Sequence, residues 1–308
     1  MNAGYVVGVD LGGTKILTAL ADAGGNILAR VRVPTPDAGG VTAVLDRLAE
    51  TVREVSRGLS PAALGVGCPG PLDHVTGTVY QAPNLGWRDV PLAFLLKERL
   101  GVPVFVENDA NLAALGEYTR GAGRGVGHLV YVTVSTGIGA GLILDGRIYQ
   151  GEGGGAGEIG HMTLEPDGPP CRCGRRGCLE ALASGTAIAR RARELGLGNE
   201  DVTAAAVSRL AQEGDAVGMD ILREAAAYLG WGLANVVTLL APRRVVLGGG
   251  VTAAPGFVEN VRAETARRTY GPAWERVDVV PALLAGESGL YGAVALALGG
   301  AGGAVRQG

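Results

Sequence analysis

The chain has 308 residues, 47% of them hydrophobic and 19% charged, with a formal net charge of −3. That length suits about two domains, and the composition excludes a disordered or acidic-tail protein. There is no basic field to hold nucleic acid non-specifically, and no positive stretch ahead of an apolar run at Met1-Asn2-Ala3-Gly4-Tyr5. The expectation is therefore a cytoplasmic protein with no signal peptide, no nucleic-acid partner and no membrane span.

Residues 5–33 read as three strands broken by a Gly-rich turn and by a Gly-Gly turn at Gly24-Gly25. Val41, Val44, Leu45, Leu48, Val52 and Val55 recur at helical spacing and predict one buried helix face. A short apolar strand over 63–68 ends at Pro69-Gly70-Pro71, where proline cannot continue a ladder. A second, over 102–106, ends at Glu107-Asn108-Asp109, and a helix is expected to start near Asp109. Residues 128–150 repeat the plan of 5–33: VTVSTGIG (132–139) laid over VGVDLGGT (7–14) puts Ser135 on Asp10 and Gly137 on Gly12, an offset of 125 residues. Such a long offset suits two related halves rather than a solenoid. Further on come helices near 185–195 and 219–240, a strand over 244–247 and the turn Gly248-Gly249-Gly250. Alternating strands and helices give an α/β class. The Gly/Arg segment 120–125 sets the expected domain break, with lobes of 1–120 and 121–288 and a C-terminal helix over 289–308 completing the first.

Asp10-Leu11-Gly12-Gly13-Thr14-Lys15 places adjacent glycines in a hairpin, where backbone N–H groups can face an anion and Thr and Lys add donors and charge. It lacks P-loop spacing. Ser135-Thr136-Gly137-Ile138-Gly139 offers the same chemistry, and the two at matching places are candidates for a triphosphate. A side chain at Gly137 is expected to weaken ATP binding far more than sugar binding, by blocking close approach of the phosphates to the backbone. Asp109, at a strand's carboxyl end, either caps the following helix or accepts the proton of an attacking hydroxyl. His161, Cys171, Cys173 and Cys178, spaced His-x9-Cys-x-Cys-x4-Cys, form a closed set suited to structural zinc. Cys68 stands apart as a small strand residue. Glu158 and Glu180 bracket the cysteines, and with His161 they suit a polyol, since carboxylates accept paired hydrogen bonds from neighbouring hydroxyls. Asn84, in Asn84-Leu85-Gly86-Trp87, either sits in an ordinary turn or meets a sugar hydroxyl, while Gly249 and Gly250 permit close approach of a base or ribose.

Together, the segments 10–15, 68–73, 107–111, 135–141, 158–161, 171–180 and 248–251 resemble the ROK family (repressors, open reading frames and kinases) over nearly the whole chain. The wording of 82–87 and 134–139 is most similar to its bacterial glucokinase branch. The resemblance implies a duplicated ribonuclease-H-like, actin-like ATPase fold, with two lobes and a central cleft. It implies ATP-dependent phosphorylation of a hexose, glucose first, with Asp109 as general base. Asn84, Asn108, Asp109, Glu158, His161 and Glu180 would hold the sugar. Asp10, Gly12, Gly13, Thr14, Lys15, Thr136, Gly137, Gly249 and Gly250 would hold ATP, with Mg²⁺ on its phosphates and structural Zn²⁺ on His161, Cys171, Cys173 and Cys178. A homodimer or higher homo-oligomer is implied as well. Fructose, mannose, allose and N-acetylhexosamine stay open as acceptors, and polyphosphate as donor. The rival readings are a sugar-sensing regulator without catalysis, which the absence of an N-terminal DNA-binding segment opposes, and an ATPase without a sugar site.

Overall fold

The computed structural model describes residues 4–301; Met1-Asn2-Ala3 and the 302–308 part of the expected C-terminal helix lie outside them. In chain order the elements are β1 (Val6–Leu11), β2 (Lys15–Ala21), β3 (Ile27–Pro34), α1 (Gly40–Ser56), β4 (Leu64–Cys68), β5 (Leu72–Asp73), β6 (Thr78–Ala82), β7 (Trp87–Pro91), α2 (Leu92–Leu100), β8 (Val104–Asn108) and α3 (Asp109–Arg120). Then come β9 (Leu129–Val134), β10 (Ile138–Leu144), β11 (Arg147–Ile148), α4 (Leu179–Ala183), α5 (Gly185–Glu194), α6 (Ala204–Gln212) and α7 (Ala216–Leu240). The chain closes with β12 (Arg244–Gly248), α8 (Phe257–Arg268), α9 (Gly271–Trp274), β13 (Asp278–Pro281) and α10 (Ser288–Gly300). Two compact units form. The first holds residues up to 125, 141–156 and those from 286 onward, and the second holds 126–140 and 157–285. The segment 141–156 thus groups with the first unit, which a single linear break at 120/121 does not provide for.

The two five-stranded sheets have one topology. Their orders are β3-β2-β1-β4-β8 and β11-β10-β9-β12-β13. In the first, β1 and β2 run antiparallel, while β4 runs parallel to both β1 and β8. In the second, β12 runs parallel to β9 and to β13. The strand bounds match at an offset of 123 residues, Val6–Leu11 against Leu129–Val134 and Lys15–Ala21 against Ile138–Leu144. The direct sequence overlay therefore slips by two residues: Asp10 corresponds to Thr133, and Gly12 to Ser135. An even slip keeps inward and outward positions in phase, so the alternation could not expose it.

In the first unit the pleat sends Val7, Val9 and Leu11 into a core shared with Val44, Leu45, Leu48, Val52 and Val55 of α1 and with Leu92 and Leu96 of α2. The opposite face meets α10. A Cβ on Gly8 would lie 2.7 Å from the Val294 nitrogen, and one on Gly65 would strike the Ala293 carbonyl. These two glycines let the helix backbone lie directly on β1 and β4. In the second unit Gly230 of α7 plays the same part, since a Cβ there would sit 2.5 Å from Glu264 Cβ of α8. A three-stranded antiparallel sheet, β5-β6-β7, completes the first unit.

Candidate active site

Parallel pairing brings the carboxyl ends of β1, β4 and β8 to one edge of the first sheet. Asp10 pairs with Gly67, and Cys68 pairs with Asn108. The edge of a sheet where parallel strands end is where α/β proteins place ligands. Asn108, not Asp109, is the N-cap of α3: its Oδ1 accepts from the N–H groups of Ala110 (2.9 Å) and Asn111 (3.3 Å), and its Nδ2 donates to the Gly70 carbonyl (3.3 Å). The capping function thus falls one residue earlier. Asp109 is the exposed first residue of the helix, and its Oδ1 also accepts from the Ala110 N–H (2.9 Å). One donor, the Ala110 N–H, is thus shared with the Asp109 carboxylate at a helix N-terminus, where negative charge is favoured. Cys68 beside it is fully buried, and burial pushes its thiol up, with the Asp109 charge adding to the effect. It is a neutral packing residue.

The turn after β1 closes with the Gly12 N–H donating to the Lys15 carbonyl (2.9 Å). Thr35 braces it by donating its hydroxyl to the Gly12 carbonyl (2.7 Å). Asn84 lies on this turn: a Cβ at Gly13 would be 2.9 Å from Asn84 Cβ. Asn84 is exposed in a short 3₁₀ turn over Pro83–Leu85. Burial raises the Asp10 carboxyl, and Lys15 partly offsets this.

The second unit carries the other turn. There the Ser135 N–H donates to the Gly137 carbonyl (2.9 Å), so this turn closes one residue tighter than its counterpart. Thr136 is exposed, and its carbonyl accepts from the Thr186 hydroxyl (2.8 Å) at the start of α5. Glu180 of α4 reaches under the turn, its Oε2 accepting from the Ile138 N–H (3.0 Å). A Cβ at Gly137 would collide with that same oxygen. The missing side chain at 137 therefore makes room for the Glu180 carboxylate, a reason for glycine there beside the expected approach of phosphates. A cavity of about 720 Å³ opens beside the turn, lined by Thr136, Thr186, Ser208, Arg209, Gly250 and Val251 among others. Gly248 pairs with Thr133, which sets the 248–250 turn beside the end of β9.

His161 Nδ1 lies 3.7 Å from Cys171 Sγ, and Cys173 Sγ lies 3.6 Å from Cys178 Sγ. All four ligand atoms fall within 4.8 Å of one another. Tetrahedral zinc, with Zn–S near about 2.3 Å and Zn–N near about 2.0 Å, spaces its ligand atoms by about 3.5–3.8 Å. The donor set fits that ion. Gly174 (φ 87°) and Gly177 (φ 61°) make the bends that return the chain to the cluster. All four cysteines of the chain are free thiols. Without an ion, burial pushes Cys178 up to about 12 and raises Cys171, while the Arg175 N–H holds Cys173 down. A cation among them is what would let all three thiols ionise side by side. The second ring nitrogen of His161, Nε2, lies 3.8 Å from Glu158 Oε2. The metal face and the Glu158 face of the ring are thus opposite.

Within the first unit the structure gathers Asp10, the 12–15 turn and Asn84, and it sets Asn108 and Asp109 on the same sheet edge. Within the second it gathers His161 with Glu158 and the cysteines, and Glu180 with Gly137. Among the described residues Glu180 bonds to the Ile138 N–H rather than to His161 or Glu158. Sequence reasoning assigned no role to Glu107, a buried carboxylate near the end of an apolar strand, although a charge at that place is itself a signal. The α5 and α6 residues that line the cavity carry no local signal, because helix packing alone brings them to it.

The ROK family pattern matches residues 6–299. The chain is similar to a glucokinase of Streptomyces coelicolor, at 38% identity over 311 residues, covering 96% of this chain and 98% of that one. It is similar in structure to a ROK hexokinase from Thermus thermophilus (TM-score 0.86, 44% identity, covering 95% of this chain and 97% of that one). It is also similar to a ROK family glucokinase from Streptomyces griseus solved in complex with glucose and AMPPNP (TM-score 0.82, 38% identity, covering 96% of this chain and 99% of that one).

Proposed function

The chain belongs to the ROK family, and from that premise we propose that it is an ATP-dependent hexose kinase forming glucose 6-phosphate and ADP from glucose and ATP. The observation that carries this reading is the likeness, along nearly the whole of both chains, to a kinase crystallised with glucose and an ATP analogue. The same likeness supports the actin-like, duplicated fold that the two matching sheets display.

In this reading Asp109 accepts the proton of the C6 hydroxyl as that oxygen attacks the γ-phosphorus, help of a kind that contributes about 10²–10⁴-fold. Its placement on the first helical residue, exposed and behind a separately capped end, supports the assignment. Asn84 and Asn108 in the first unit, and Glu158, His161 and Glu180 in the second, are the proposed sugar ligands along with Asp109. Asp10, Gly12, Gly13, Thr14 and Lys15, and Thr136, Gly137, Gly249 and Gly250, are the proposed ATP residues. The cavity beside Thr136 and Gly250 takes the nucleoside end. Mg²⁺ bound with ATP would offset phosphate charge, with Asp10 reaching it through water. Zinc would hold the 158–180 loop closed and fix the His161 ring so that Nε2 faces the sugar. The protein works in the cytoplasm as a homodimer or higher homo-oligomer. No helix among the described residues is long and apolar enough to cross a membrane.

The test is ADP release from ATP across a panel of glucose, fructose, mannose, allose and N-acetylhexosamines. Glucose should give the highest kcat/KM. Release that does not depend on any sugar would favour the ATPase reading, and no release with tight sugar binding would favour the sensor.

A further inference from the structure

Glu107 is 2% exposed, one residue before the end of β8, and three N–H donors converge on its carboxylate. Its Oε1 accepts from the Asn108 N–H (2.8 Å) and from Asn111 Nδ2 (2.9 Å). Its Oε2 accepts from Gln150 Nε2. An ionised carboxylate only accepts, so it sets both amides donor-inward. Asn111 accordingly leaves its own Oδ1 buried with no partner among the described residues. An orphaned acceptor costs free energy, and here a charge-assisted bond at the other end of the same amide offsets it.

Two segments meet at this carboxylate. One is the 108–111 turn, whose N-cap presents Asp109. The other begins at Gln150, whose carbonyl also accepts from the Ala156 N–H (2.9 Å), closing the loop back on itself. Between and beyond those anchors the backbone turns at Gly151 (φ 69°), Gly153 (φ 68°), Gly154 (φ 78°) and Gly157 (φ 85°), and then reaches Glu158 and His161. A chain so rich in left-handed glycines holds no fixed path of its own. Gln150 fastens its start to Glu107.

We propose that Glu107 and Gln150 are positioning residues for the phosphoryl transfer. Glu107 fixes the turn that carries Asp109, and Gln150 ties that turn to the glycine-rich segment leading to Glu158. The inference rests on the reading of Asp109 as the base. Through this link a shift of the 150–157 segment is felt at the turn holding the base, although neither residue touches substrate.

The test is a charge exchange across the pair. Gln150→Glu sets carboxylate against carboxylate. We expect kcat to fall about tenfold or more, the size of coupling seen within one hydrogen-bond network, with the KM for ATP within about twofold of wild type. Adding Glu107→Gln rebuilds the bond with donor and acceptor exchanged, since the amide oxygen still accepts from Asn108 and Asn111. The double variant should recover kcat to within about threefold. If Gln150→Glu does not fold, Gln150→Ala should lose kcat with an unchanged ATP KM and a melting temperature only a few degrees lower. Wild-type turnover in a folded Gln150 variant, or a double variant no faster than Gln150→Glu, would overturn the inference. Asp109→Asn is measured beside them. If it is inactive while the Gln150 variants are normal, only the positioning role fails. If it turns over normally, the base assignment fails and takes the inference with it.

Discussion

Gly137→Ala separates two accounts of the second phosphate turn. Gly137 has no positive φ, so its backbone accepts alanine without strain. The new Cβ instead meets the Glu180 carboxylate, the mobile end of a side chain. Glu180 swings away, and the Ile138 N–H loses its charged acceptor. The fold loses up to about 1.5–3 kcal/mol, the net value of one hydrogen bond to a charged group, or several degrees in Tm for a unit of this size. The larger effect falls on the sugar. A hydrogen bond to a charged group is worth about 1.5–3 kcal/mol, so a misplaced Glu180 weakens glucose binding about tenfold to hundredfold. The turn's N–H groups stay where they are, and affinity for a non-hydrolysable ATP analogue should change less than about threefold. Calorimetric titration of both ligands into wild type, Gly137→Ala, Glu180→Ala and the double variant measures this. The double variant should bind glucose no worse than Glu180→Ala alone. Loss of nucleotide with glucose untouched would refute the reasoning and restore the phosphate-only role of Gly137.

Asp109→Asn should bind glucose as wild type does and lose turnover by about 10²-fold or more, measured by calorimetry and steady-state kinetics. Elemental analysis should find one zinc per chain, and Cys173→Ser should lose it and raise the glucose KM about 10–100-fold while ATP binding persists. Asp10 has a raised carboxyl pKa in the fold, so the native state binds the proton more tightly than the unfolded chain, and stability falls as pH rises through that interval. Ligand-free Asp10→Asn should therefore melt a few degrees above wild type at pH 7, with the gap closing as acid protonates Asp10 in both states. Gly65→Ala drives a Cβ into the α10 backbone and should cost about 1–3 kcal/mol or more by denaturant titration, with no change in ligand preference.

Much of this was legible in the chain because its signals are local. The α1 face followed from spacing, and the His161, Cys171, Cys173 and Cys178 cluster followed from four residues in an 18-residue span. The hairpins followed from glycines between apolar runs. What escaped depends on long-range packing. The two-residue slip in the repeat is invisible to alternation. The cap on α3 moved from Asp109 to Asn108 because the strand runs two residues further than its apolar part, carrying Glu107 and Asn108 into the ladder. The β5-β6-β7 sheet has short strands with mixed patterns, VY in one and WRDV in another, that give no period to read. Gln150 has no local reason to matter, since its partner lies 43 positions away. That Gly137 also makes room for Glu180 was hidden because nothing near it in sequence shows that contact.

The central claim is that this chain moves phosphate from ATP to glucose with Asp109 as the base. The most direct measurement follows glucose 6-phosphate itself, by its oxidation with a coupled dehydrogenase, using purified wild type and a folded, zinc-loaded Asp109→Asn. The account requires sugar phosphate in step with ADP from the wild type, and a rate lower by about 10²-fold or more from the variant. ADP without glucose 6-phosphate from the wild type, or equal rates from the two proteins, would contradict it.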